Sequence, residues 1–94
     1  MIKEIKRTSR FKKDYKNAIK RGCKEQDFKE VMKYLVAQEE LPEKYCDHQL
    51  HDSKDYKNVR ECHIAPDWLL IYRINKSELI LELIRTGAYI ELFK

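Results

Sequence analysis

The spacing of apolar residues changes once along this chain, near Pro42. Ahead of it, Ile2 and Ile5 lie in a short segment that can form an edge strand. Thr8 or Ser9 can then cap a helix by offering a hydroxyl to an unpaired backbone N–H. Phe11, Tyr15, Ala18 and Ile19 follow at helical spacing, and Gly22 is a suitable stop. A second helix is predicted from about Glu25, with Phe28, Val31, Met32, Leu35 and Val36 on one face. Leu41-Pro42 marks its exit, because proline disfavours helix in the residue before it. Together these segments predict a helical hairpin with an apolar inside and a basic outside.

Beyond Pro42 the period becomes two. In Val59–Ile64, the residues Val59, Glu61 and His63 fall on one face and Arg60, Cys62 and Ile64 on the other. Pro66-Asp67 reads as a turn, Trp68 to Ile74 as a strongly apolar strand, and Asn75-Lys76-Ser77 as a hairpin connection. Leu79 to Arg85 predicts another strand, interrupted by Thr86-Gly87. Tyr89, Glu91 and Phe93 then alternate with Ile90 and Leu92, as in a short terminal strand. The expected architecture is α+β in one domain, residues 1–94. An N-terminal strand and a two-helix hairpin pack on one face of a small antiparallel sheet. The opposite face is left open for chemistry.

Composition adds constraints. Only two Gly and two Pro argue against long disordered segments, and 38% charged residues require amphipathic core elements. The net charge of +4 is unevenly spread: residues 1–24 carry +8 and the remainder −4. A basic face of this kind suits a polyanion, since neutralising phosphates releases counterions, although a solvated lysine-rich helix accounts for the charge equally well. Three cysteines, Cys23, Cys46 and Cys62, form no CxxC pair, and the odd count fits a disulfide framework poorly. Met-Ile-Lys-Glu-Ile-Lys-Arg lacks the apolar run of a signal peptide, and Leu79–Ile84 is too short to span a bilayer. The expected location is the cytoplasm, away from membranes.

Reactive side chains gather on the open face. Glu61 and His63 point away from the helices if Cys62 and Ile64 point toward them, and Tyr89, Glu91 and Phe93 do so if Ile90 and Leu92 pack inward. Arg85 ends a strand, Asp67 sits in the turn after His63, and His48 lies in the loop Tyr45–Leu50. By strict alternation Arg85 shares parity with Leu79, Leu81 and Leu83, so a bulge must turn it outward. RNA cleavage needs this kind of set. A base removes the ribose 2′-OH proton, an acid protonates the leaving 5′-oxygen, and a cation stabilises the crowded phosphate. Imidazole suits the proton transfers and guanidinium the phosphate. By residue type alone, a His, an Arg and an Asp within one small domain are more often surface or structural groups than a site. Cys46, His48, His51, Cys62 and His63 also cluster in sequence. Adjacent Cys62 and His63 face opposite ways in a strand, however, and Cys-x-His-x-x-His is not a common zinc spacing, so no metal is expected.

Several segments in order carry a family resemblance: Asp47-His48-Gln49-Leu50, Arg60-Glu-Cys-His63-Ile-Ala-Pro-Asp67-Trp68-Leu-Leu-Ile-Tyr72, Arg85-Thr86-Gly87 and Leu92-Phe93. The chain resembles, over essentially its whole length, the YafQ branch of the RelE toxin superfamily. That resemblance implies a type II toxin that cleaves mRNA in the ribosomal A site by metal-independent 2′-OH attack. It also implies neutralisation by a cognate antitoxin, with operator DNA reached only through that antitoxin, and no cofactor. His48, His63, Asp67, Trp68, Arg85 and Phe93 match positions of the family site. Glu61 stands where such sequences can have Asp, and Tyr89 where they usually carry His. A phenol holds its proton at neutral pH, so Tyr89 can donate but is a poor base.

These readings give His48, His63, Asp67, Arg85 and Tyr89 catalytic roles. His63 or His48 is the base, Tyr89 or the other histidine the acid, Arg85 the phosphate holder, and Asp67 the group that orients an imidazole. Glu61, Trp68 and Phe93 are placed against substrate, Phe93 by stacking on a base, with packing or solvation as the competing account. The alternative is a module of the same fold that holds RNA or a partner protein without cutting.

Overall fold

The computed structural model describes residues 1–50 and 57–93, so His51 of the metal alternative lies outside the described residues. In chain order the elements are β1 (Glu4–Arg7), α1 (Ser9–Lys20), α2 (Glu25–Ala37), a 3-10 turn at Glu43–Tyr45, β2 (His48–Gln49), β3 (Arg60–Ala65), β4 (Trp68–Asn75), β5 (Ile80–Gly87) and α3 (Tyr89–Phe93). The expected α+β architecture is present. The strands form one sheet in the order β1-β5-β4-β3-β2.

Local chemistry accounts for most boundaries. Thr8, not Ser9, caps α1: its hydroxyl oxygen accepts the Phe11 amide at 2.9 Å and the hydroxyl donates to the Ile84 carbonyl at 2.7 Å. Gly22 follows the end of α1 with φ of 101°, where a Cβ would be strained. α2 stops at Ala37, short of the expected Leu41 exit, because Gln38 turns left-handed and closes the helix itself. Among the described residues no helix is long and apolar enough to cross a membrane.

Two expectations about the sheet are corrected. It is mixed rather than wholly antiparallel, because β1 pairs with β5 in parallel. A long connection separates these two strands, so no hairpin dictates their relative direction. The terminal segment is also a helix, not a strand. Glu91 reaches back to accept the Ala88 amide at 2.7 Å, while the Glu91 and Leu92 amides bond to the Ala88 carbonyl. This carboxylate-to-cap bond nucleates a helical turn that alternation could not reveal.

The main core lies between the helices and the sheet. Phe11, Ala18, Val31 and Leu35 meet Cys62, Ile64, Trp68, Leu70, Tyr72, Leu81 and Leu83 there. Ile19, expected inside, is 38% exposed. The opposite face is not open throughout. Val59, Leu69, Ile71 and Leu92 form a second, smaller core flanked by Leu50, Ile84 and Phe93. α3 folds back over part of the face and leaves the rest for polar groups.

Candidate active site

Strand register brings the polar groups into rows. His48 on β2 pairs with Glu61 on β3, Glu61 with Ile71 on β4, and Ile71 with Arg85 on β5. His63, two residues along β3, lies in the next row on the same face, opposite Leu69. The Arg85 parity problem is resolved as the sequence required. Ile71 pairs with Arg85 while Tyr72 pairs with Leu83, so Ile84 and Arg85 together oppose Ile71 across a bulge. That extra residue places Arg85 on the Glu61 side of the sheet.

Glu61 is the centre of the cluster. It is only 6% exposed, and its Oε1 lies 3.4 Å from His48 Nε2 and 3.8 Å from His63 Nε2. His48 Nδ1 is 2.7 Å from the Cys46 carbonyl, which can only accept, so that nitrogen carries hydrogen. Both His48 nitrogens therefore have neighbours, Cys46 behind and Glu61 in front. The His63 ring turns one nitrogen toward Glu61, and its side chain remains 34% exposed.

Arg85 does not stand open to solvent. Its Nε and Nη2 donate to Asp14 Oδ2 and Oδ1 of α1 at 2.8 and 2.9 Å. Tyr89 is 66% exposed on α3, with its ring centroid 5.0 Å from that of Phe93. Phe93 in turn packs against the second core.

Two expected members stand apart. Asp67 is exposed in the turn between β3 and β4, and the carboxylate that meets the imidazoles is Glu61 instead. Alternation explains the exchange: Glu61 shares His63's face, whereas Asp67 has left the strand. Trp68, expected against substrate, is 1% exposed in the main core, with ring centroids of Tyr15 and Phe28 both at 6.3 Å. It faces the helices because alternation along β4 puts it on the same side as Leu70 and Tyr72, both in the main core.

The sequence reading missed two acids. Asp14 is one, and it sits in a run of cations that reads as pure surface. Asp47 is the other. It accepts Arg60 Nη2 at 2.9 Å and the Tyr72 hydroxyl, tying the residue before His48 to β3 and β4. Burial, with Asp47 beside it, pushes the Tyr72 phenol well above its ordinary pKa. Asp47 and Tyr72 both fall within the quoted motifs, which was the available signal. Among the described residues, no group of three or more His, Cys, Asp or Glu side chains has the arrangement to hold a metal ion.

Comparison with known proteins places this chain in a family. A family model for the bacterial toxin of type II toxin–antitoxin systems, YafQ, matches residues 3–94. The chain belongs to the YafQ toxin family. It is 37% identical over 92 residues to the mRNA interferase toxin YafQ of Escherichia coli strain B / BL21-DE3, covering 97% of this chain and 96% of that protein. The strain K12 YafQ toxin is 36% identical over the same shares. Among solved structures, a metal-bound toxin from Helicobacter pylori superposes with a TM-score of 0.87 at 39% identity, covering 99% of this chain and all of that one (100%). YafQ in the E. coli DinJ–YafQ complex gives 0.85 at 35% identity, with 100% of both chains covered. The YafQ fold is thus shared along the whole chain, including the strands that carry Glu61, His63 and Arg85.

Proposed function

We propose that this chain is a ribosome-dependent mRNA endoribonuclease, the toxin of a toxin–antitoxin pair, which cuts by attack of the substrate's own 2′-oxygen without a metal. The observation that carries this reading is the buried Glu61 carboxylate shared by His48 and His63. It is supported by membership of a family whose E. coli relatives are named mRNA interferase toxins.

His63 takes the 2′-OH proton, because its ring is exposed on one side and backed by Glu61 on the other. A carboxylate behind an imidazole orients the ring and stabilises the imidazolium that forms. His48, engaged at both nitrogens, holds Glu61 in place. The 2′-oxygen attacks phosphorus, the bond to the 5′-oxygen breaks, and Tyr89 supplies the proton that the leaving oxygen needs. Arg85 stabilises the phosphate charge, and Phe93 stacks on a base. Asp67, exposed in the turn after β3, takes no part in orienting the imidazoles, a role that falls to Glu61. A cognate antitoxin covers the toxin in the resting cytoplasm, as DinJ accompanies E. coli YafQ in its complex. Operator DNA is reached only through that antitoxin.

The test is to add the purified protein to translating ribosomes and map mRNA 5′ ends. Wild type yields discrete cuts, and His63→Ala lowers the cutting rate by about 100-fold or more with an unchanged melting curve. A wild-type protein that binds ribosomes but leaves mRNA intact would make the chain a binding module instead.

A further inference from the structure

Asp14 has no part in the chemistry above, and its setting is unlike that of the lysines around it. Its side chain is 14% exposed, and it turns toward the sheet from the face of α1 that meets β5. The edge of β5 explains why a carboxylate is there. β1 ends at Arg7, opposite Leu83, so beyond that point β5 has no neighbouring strand on its outer side. The start of α1 takes over. The Thr8 amide donates to the Leu83 carbonyl at 3.1 Å and the Thr8 hydroxyl to the Ile84 carbonyl. Asp14 Oδ2 then accepts the Thr86 amide at 3.3 Å. The same carboxylate binds Arg85 through both oxygens, along the edge formed by Nε and Nη2.

A fork bound along one edge has its plane and direction set by its partner. The bulge brings the Arg85 backbone to the Glu61 side of the sheet, yet a long arginine side chain would still sample many rotamers from that point. We infer that Asp14 is a positioning residue for the cleavage reaction: it orients the Arg85 guanidinium for the scissile phosphate, and the inference rests on the ribonuclease reading given above. Its effect belongs to the transition state, where a phosphate oxygen gains charge and the angle of the donors matters most. Docking on the ribosome depends on the wider basic surface and is left unchanged.

The two roles of Asp14 separate by substitution. Asp14→Asn keeps an acceptor oxygen for the Thr86 amide but loses the charge and the two-oxygen grip on Arg85. Asp14→Ser does the same with a shorter side chain and serves as the second variant. Both are compared with wild type, Arg85→Ala and the Asp14→Asn/Arg85→Ala double variant on translating ribosomes, per folded molecule and below the melting transition. The expected result is a fall in kcat of about 10- to 100-fold with KM within about threefold of wild type. Asp14→Glu restores part of the rate. In the Arg85→Ala background, Asp14→Asn adds no further loss, because its effect passes through the arginine. Wild-type rates in Asp14→Asn and Asp14→Ser would overturn the inference alone, as would an equal fall with and without Arg85. A wild-type chain that cuts nothing would overturn the ribonuclease reading, and this inference with it.

Discussion

The two faces of the sheet are built from alternate residues of the same strands and behave as different materials. On the helix side, Cys62, Leu70, Tyr72, Leu81 and Leu83 are sealed beneath α1 and α2. Burial pushes the Cys62 thiol well above its ordinary pKa, so it is an inert packing group. One residue on, His63 is partly exposed beside Glu61. On that second face α3 covers Ile71 and Leu69, and the polar cluster occupies what the helix leaves uncovered. The polar cluster borrows its rigidity: Glu61 and His63 are held by a strand whose other side is locked into the core.

The largest effect that can break this division is on stability. Trp68→Ala is expected to cost about 3–5 kcal/mol, since a large buried ring leaves a cavity. His63→Ala on the other face should change stability by less than about 0.5 kcal/mol. Urea unfolding of the two variants measures both, and equal costs would mean that the faces are not divided as described.

Next in size is the helix that covers part of the second face. Gly87 has φ of 152°, and a Cβ there would lie 2.8 Å from Glu91 Oε1. Gly87→Ala should cost about 1–3 kcal/mol through backbone strain and displacement of that carboxylate. Hydrogen exchange would show it as lost protection of the Glu91 and Leu92 amides, with β4 little changed.

Thr8→Ala tests the link between α1 and the edge of β5 and should cost about 1 kcal/mol. Thr8→Ser, which keeps the hydroxyl, should recover most of it in the same thermal melts.

The smallest effect is the pH dependence of the Arg21–Glu91 pair, which ties α1 to α3 at an exposed position. The hydrogen bond from Arg21, then that from the Ala88 amide, lowers the Glu91 pKa below its ordinary 4.5. A lowered folded-state value means the pair's contribution is fully present above 4.5 and is lost as pH falls below it. Melts of wild type and Glu91→Gln from about pH 6 to about pH 3 should converge at the acid end. A gap that widened there would reverse the assignment.

Much of this was legible beforehand. The periods of Phe11–Ile19 and Phe28–Val36 predicted the helices, and alternation through Val59–Ile64 placed Glu61 and His63 together, away from the core. The need for a bulge near Arg85 could be read from parity alone, though not its position at Ile84. The terminal segment misled because five residues alternate equally well as strand or helix, and the deciding bond, from the Ala88 amide to Glu91, is a matter of capping. Trp68 misled for a related reason: a motif position says that a residue belongs with its neighbours, not which side of the sheet it faces.

By itself, then, the sequence determined what local periodicity and residue chemistry can determine. These are α1 and α2, strands β3 to β5, the family-like order of His48, His63, Arg85 and Phe93, and the basic first quarter of the chain. The parallel pairing of β1 with β5, the choice of Glu61 over Asp67 as the carboxylate between the imidazoles, and the grip of Asp14 on Arg85 emerge only when the chain is folded. Each of these joins residues far apart in the chain or depends on which edge and face a strand presents. Such contacts are set by chain path and register, which no local pattern encodes.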